Sequence, residues 1–245
     1  VHTGDPASSS ADASLTDARD NSSTTAASAR RGMFIVFEGG DGAGKSTQAA
    51  LLAASLEAMD RHVLRTREPG GTVVGEKLRG LILDHGNGTV DARTEALMFA
   101  ASRAAHVEQV LRPTLAEGTD IICDRYIDSS VAYQGVGRGL GTDKVLALNT
   151  WATSGLVPDL TVVLDIDPVA GRARRLRDNA TEDRLESEPD DFHASIRNAF
   201  LDLAAAAPER YLVLNALDDS VTLEKKVFAR VKEFLSTHAS KVSTP

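Results

Sequence analysis

From Met33 onward the chain alternates short, nearly unbroken apolar runs with longer stretches in which apolar residues return every three or four positions. The runs are Met33–Glu38, His62–Thr66, Asp120–Asp124, Leu160–Ile166 and Arg210–Leu214. None contains Pro or Gly and β-branched residues are frequent, as strands buried on both faces require. Helical periods occupy Ser46–Met59, Val73–Asp84, Ala92–Ala116, Asp143–Ser154, Val169–Arg177, Asp190–Ala206 and about Val221–Ser236. Strand–helix alternation of this kind predicts right-handed crossovers and an α/β fold, a parallel sheet with helices on both faces. Ligands of such a sheet sit at the carboxyl ends of its strands.

Residues 1–31 break the pattern. Ala, Ser and Thr fill 18 of these 31 positions, and Val1 and Leu15 are the only large aliphatics. Too little apolar area is present to offset the entropy of ordering, so the extension is expected to be disordered. It has no apolar core of a secretory signal, and Asp5, Asp12, Asp17 and Asp20 do not suit an organelle transit peptide. Residues 32–245 read as one domain.

Composition narrows the chemistry. Against 35 acidic residues stand 27 basic ones, a net charge of −8, which disfavours a general nucleic-acid coat. No apolar run is long enough for a membrane-spanning helix. Cys123 is the only cysteine, so no intramolecular disulfide or cysteine-cluster zinc site can form. A polyanionic ligand must therefore be met by a local cluster of Arg or Lys.

Such a ligand is announced directly after the first strand. Gly39-Gly40-Asp41-Gly42-Ala43-Gly44-Lys45-Ser46-Thr47 satisfies G-x-x-x-x-G-K-[ST] and stands between a strand and a helix, the context that the motif needs. Its glycines let backbone N–H groups surround phosphate oxygens, and the helix N-terminus adds positive potential. Lys45 is expected to reach the β- and γ-phosphates of ATP, and Ser46 to ligate Mg²⁺. A switch GTPase would carry Asn-Lys-x-Asp late in the chain. Here that region reads Asn215-Ala216-Leu217-Asp218. A small-metabolite kinase, which works by positioning and charge neutralisation, fits the length better.

Three further segments point to an acceptor that itself carries phosphate. Arg67-Glu68-Pro69-Gly70-Gly71 forces a turn at the end of the second strand, with Arg79 on the following helix. Glu95, Phe99 and Arg103 share one helix face, where a ring one turn from a guanidinium could hold a flat base. On spacing alone, a solvated Arg79, a core Phe99 and a snorkelling Arg103 are the better readings. Asp124 ends an apolar strand, where it would meet Mg²⁺, and Arg125 is placed to clamp phosphate between donor and acceptor. Arg172, Arg174, Arg175, Arg177 and Arg184 form a dense basic segment. We read it as a mobile lid over about residues 171–188 that closes on the transferring group, because the P-loop offers no cation at Asp41–Ala43.

Taken together, Phe37-Glu38-Gly39 with the P-loop, the Glu68-Pro69-Gly70-Gly71 turn, Phe99-Ala100-Ala101-Ser102-Arg103, Asp124-Arg125-Tyr126, Ser129-Ser130-Val131-Ala132-Tyr133-Gln134-Gly135 and Pro158-Asp159-Leu160 closely resemble thymidylate kinases. The resemblance runs from about Met33 to Leu235. It implies a P-loop nucleotide-kinase fold with five parallel strands, phosphorylation of dTMP by Mg-ATP, a homodimer and a cytoplasmic location. By the same resemblance Phe99 stacks on thymine, Arg103, Gln134 and Ser130 contact its edge, and Arg79 and Arg125 grip the dTMP phosphate. Asp41 and Tyr133 lie near the deoxyribose, with Glu68 and Pro69 on the acceptor side. Gly39 to Thr47 hold ATP, Ser46 and Asp124 the metal, and Arg172, Arg174 and Arg184 serve the lid. The segment from Arg177 to Arg184 matches poorly, which makes Arg175 and Arg177 weaker candidates. Two rival functions keep the same fold: a kinase for another deoxynucleotide or a deoxynucleoside, and a nucleotide sensor without turnover.

Overall fold

The computed structural model describes residues 31–177 and 182–240. The disorder expected over residues 1–31 therefore lies, Arg31 apart, outside the described residues, as does the middle of the expected lid.

Five strands form one parallel sheet: β1 (Phe34–Gly39), β2 (Val63–Arg67), β3 (Asp120–Asp124), β4 (Leu160–Asp165) and β5 (Tyr211–Asn215), in the order β2-β3-β1-β4-β5. The strands fall within one residue of the apolar runs. β1 is central and buried along its whole length. Its alternate residues face opposite ways, as the pleat demands. Ile35 and Phe37 pack with Leu52, Leu56, Val227 and Val231 on one face, and Phe34 and Val36 pack with Leu111, Ile121, Cys123 and Tyr126 on the other.

Nine helices flank the sheet among the described residues: α1 (Lys45–Glu57), α2 (Val73–Leu83), α3 (Ala92–His106), α4 (Arg112–Ala116), α5 (Ile127–Ser130), α6 (Thr142–Ala152), α7 (Pro168–Arg177), α8 (Asp190–Ala206) and α9 (Ser220–Ser240). The single helix expected over Ala92–Ala116 is α3 and α4 joined by a wide π turn at Val107–Leu111. The cause is Pro113, whose ring cannot sit one turn above an undisturbed carbonyl. A second π turn, Val131–Gly137, continues α5 and carries Tyr133 and Gln134.

From β1 the chain moves outward to β2 and back to β3, then crosses to β4 on the other side. That reversal opens a crevice above the carboxyl ends of β1, β3 and β4, the place where such sheets bind ligands. Gly39, Asp124 and Asp165 end those three strands.

Candidate active site

The loop after β1 wraps the start of α1, whose first turn has no side-chain cap and so presents its N–H groups to the crevice. Lys45 is curled over this loop, Nζ donating to Gly39 O at 3.1 Å and Gly40 O at 2.9 Å. Burial, and after it the nearby Arg125, lower its ammonium pKa. Gly42 cannot be another residue. Its φ is +78°, and a Cβ there would lie 2.3 Å from Gly171 O at the start of α7. Ser46 Oγ donates to Asp124 Oδ2 at 2.7 Å. Two adjacent oxygen donors beside a phosphate loop fit Mg²⁺, which binds through few protein ligands and keeps its waters and phosphates.

Next to the loop, Arg125 adopts a left-handed backbone with φ +70°. Its Nη1 donates to Gly39 O and Ser129 Oγ, both at 3.1 Å, and its Nη2 pairs with Asp41. Tyr133 Oη donates to Asp41 Oδ2 at 3.1 Å and lies 3.3 Å from Arg125 Nη2. Burial pushes the Asp41 carboxyl up, but Arg125, Lys45 and Arg175 outweigh it and hold the group well below the usual carboxylate range. The phenol of Tyr133 is pushed up, chiefly by burial.

The strain at Arg125 is held from below by Glu38, fully buried in β1. Its Oε1 accepts from Tyr126 N at 2.8 Å and Ser129 N at 3.1 Å, and its Oε2 from Ser129 Oγ at 2.6 Å. The chain from Arg125 to Ser129 is thus wound round one carboxylate. Sequence reading gave Glu38 no role, although an acid inside an otherwise apolar strand was the available signal.

Above these residues lies a cavity of about 560 Å³, lined by Asp41, Glu68, Pro69, Arg79, Phe99, Arg125, Tyr133 and Gln134 together with Leu83, Ser129, Asp183, Leu185 and Glu186. A second cavity, of about 790 Å³, follows the loop past Gly42, Gly44, Lys45, Ser46, Thr47, Arg67 and Asp124. Asp41, Glu68, Arg79 and Arg125 line both. Of the P-loop residues, Gly39 and Gly40 supply the carbonyls that hold Lys45, while Ala43 is buried in the core.

Two acceptor-side expectations change. Arg103 and Ser130 do not line the cavity. Arg103 is 1% exposed, with Nε bonded to Glu68 Oε2 at 2.6 Å, Nη1 to Ser130 Oγ at 2.9 Å and to Asn149, and Nη2 to Tyr126 O at 2.9 Å. It neither snorkels to solvent nor lines the cavity. It ties α3, α5 and α6 together one layer beneath the floor, because a guanidinium this deep must satisfy its donors in the protein. The Glu68 carboxylate points down into the same network, its Oε1 3.0 Å from His106 Nδ1.

The basic segment also rearranges the expectations. Arg174 donates to Ala216 O at 2.8 Å, beside β5, and Arg184 to Ile82 O at 2.8 Å and Glu95 Oε2 at 2.6 Å. Arg172 pairs with Asp190 at 3.2 Å and donates to Glu188 O at 3.1 Å. Arg172 and the weaker candidate Arg175 line a small cavity that also reaches Gly40 and Asp41. Arg175, and not Arg174 or Arg184, is the second basic residue of the segment facing the P-loop, since residues one apart on a helix point about 100° apart.

Comparison with known proteins gives one consistent result. A family model described as Thymidylate kinase matches residues 37–227. The chain is 49% identical over 205 residues to the thymidylate kinase of Cutibacterium acnes, covering 84% of this chain and 98% of that one. It is 52% identical over 187 residues to that of Leifsonia xyli, covering 76% and 88%. The crystal structure of thymidylate kinase from Ehrlichia chaffeensis superimposes with a TM-score of 0.68 at 33% identity, covering 82% of this chain and 99% of that one.

Proposed function

The chain belongs to the thymidylate kinase family, and from that membership we propose that it transfers the γ-phosphoryl group of Mg-ATP to dTMP, giving dTDP for dTTP synthesis. The observation that carries the reading is the meeting of two cavities, one along the phosphate loop and one over Phe99 and Gln134, at Asp41, Glu68, Arg79 and Arg125. A donor and an acceptor phosphate brought to one point between two guanidiniums are what phosphoryl transfer needs.

The phosphate oxygen of dTMP is already ionised, so no strong general base is required. Lys45 leaves its two carbonyls for the β- and γ-phosphates. Arg125 and Arg79 hold the dTMP phosphate in line. Phe99 stacks on thymine and Gln134 bonds its edge, with Arg103 setting the floor from beneath. Asp41 and Tyr133, already bonded to each other, crowd the 2′ side of the sugar and disfavour a ribonucleotide. Ser46 and Asp124 would hold Mg²⁺, which when bound neutralises the β- and γ-phosphate charge. Arg172 and Arg175 swing from their acidic partners onto the transferring group as residues 171–188 close, and closure keeps water from acting as acceptor.

A cytoplasmic homodimer belongs to the same reading. The pairing is supported by Leu97 on α3, 57% exposed, and by Leu146 and Trp151 on α6, 46% and 81% exposed, large apolar side chains that a second copy would cover.

A coupled ADP-release assay with Mg-ATP and a panel of dTMP, dUMP, dCMP, dAMP, UMP and thymidine tests the whole. Rapid turnover with dTMP, with little from UMP or thymidine, is the expected result. Tight dTMP binding without ADP release would make the chain a sensor and sink the enzyme reading.

A further inference from the structure

Glu95 opens the helix that carries Phe99, yet it takes no part in the chemistry above. It is fully buried and accepts from three directions. Gln134 Nε2 donates to its Oε1 at 2.9 Å, Arg138 reaches both oxygens at 3.3 Å, and Arg184 Nη2 donates to Oε2 at 2.6 Å. The consequence for Gln134 is directional. A carboxylate whose two oxygens are already held by guanidiniums can only accept, so the Gln134 amide must turn its NH₂ toward Glu95 and its carbonyl away. That carbonyl, Oε1, is buried with no partner among the described residues. Gln134 lines the acceptor cavity beside Phe99 and is itself 1% exposed. A buried, unbonded acceptor at the wall of a cavity calls for a donor from whatever fills it.

We propose that Glu95 is a specificity-determining positioning residue: by holding the NH₂ of Gln134 it leaves the carbonyl oxygen for the cavity, so that the pocket demands a hydrogen-bond donor on the base. The proposal rests on the dTMP reading and deepens it. Thymine and uracil offer N3–H there. Cytosine offers the N3 lone pair, which would face the Gln134 carbonyl with nothing between them. Glu95 does this without touching the nucleotide, and Arg138 and Arg184 stop its carboxylate from turning.

The test is calorimetric binding of dTMP and dCMP, without ATP, to the wild-type chain and to Glu95→Gln. A glutamine at 95 can donate as well as accept, which frees Gln134 to flip. Wild type is expected to bind dTMP more tightly than dCMP by about a hundredfold or more, and the variant to lose at least about tenfold of that ratio, mainly through weaker dTMP binding. Both nucleotides weakened alike, with the ratio kept, would make Glu95 a structural anchor and overturn the proposal while the dTMP reading stands. A wild type that binds neither nucleotide sinks the reading and the proposal together. Should the variant fail to fold, solvent exchange of the Gln134 side-chain amide in the wild-type protein decides. Protection with and without dTMP supports the proposal; protection that appears only with dTMP means that the NH₂ faces the base, and refutes it.

Discussion

Glu38 shows how a single buried group can tie the pH response of the fold to the geometry of the site. Burial, and after it the neighbouring Asp128, push its carboxyl up to about 7 against the pull of Arg125 and the hydrogen bonds from Ser129 and Tyr126. In the unfolded chain the same group titrates near 4.5. Between those values the folded protein keeps a proton that the unfolded chain has lost. Its contribution to stability is therefore most favourable below about 4.5 and declines as the pH rises through about 7. At about 1.4 kcal/mol per unit, the loss is on the order of 3 kcal/mol. Glu38→Gln keeps an acceptor for the Tyr126 and Ser129 N–H groups but cannot ionise. Its stability relative to wild type, followed by urea unfolding from about pH 5 to about pH 8, is expected to rise up to about pH 7 and level off above it. A difference that stays flat across that range would show that Glu38 does not titrate there. Arg103 marks the limit of what residue spacing says. Positions 95, 99 and 103 do share a face, and all three are buried, but spacing along a helix carries no information on depth. Phe99 reaches the cavity wall and Arg103 stays under the floor, because Glu68, Ser130 and Asn149, distant in sequence, converge on its guanidinium.

Among the elements, the strands were legible because a strand buried on both faces must be apolar throughout, and the one-residue shifts reflect ladder partners that no local pattern encodes. The turns over 127–137 were not, since a segment rich in Ser and Gly shows no apolar stripe, and a π turn depends on what packs against it. Nor could the sequence show that α7 sits directly on the phosphate loop. Gly42 and Gly171 meet there backbone to backbone, and a Cβ on Gly171 would come within 2.4 Å of Asp41 O. Neither side of that contact is a flexible side-chain tip, so the helix or the loop must move. Overpacking of this kind costs about 1–3 kcal/mol. Gly171→Ala is accordingly expected to lower kcat/KM for ATP by about tenfold or more, as the loop loses its shape. Gly80→Ala on α2 is the control, because its Cβ would meet only the end of the Asp84 side chain at 3.2 Å. Steady-state kinetics on the pair checks the claim: equal, small effects would mean that the α7 contact does not shape the loop.

For the molecule as a whole, the charge balance and the site pull in different directions. A chain of net charge −8 gathers Lys45, Arg79, Arg125, Arg172 and Arg175 around one crevice, so phosphate is met locally while the surface at large repels it. The helix that carries Phe99 at the wall of this crevice also has an exposed leucine on its outer side. α3 turns Glu95, Phe99 and Arg103 inward and Leu97 and Ala101 outward, and Arg103 fastens it to α6, whose own outer face carries Leu146 and Trp151. An indole left 81% exposed is poorly suited to water. If a second copy covers these side chains, pairing also braces the helix that carries Phe99 to the cavity wall, and the two properties should fail together. Sedimentation of the wild-type chain is expected to give twice the 26.0 kDa of one chain. Leu97→Glu with Trp151→Glu should give single chains, since each buries a charge in an apolar contact. The same variant should raise the KM for dTMP several-fold and leave that for ATP nearly unchanged, because α1 packs on the opposite face of β1 from the π turn that continues α3. A wild type that sediments as one chain would refute the pairing. A monomeric variant with an unaltered KM for dTMP would separate assembly from the acceptor site, and leave α3 held by its buried network alone.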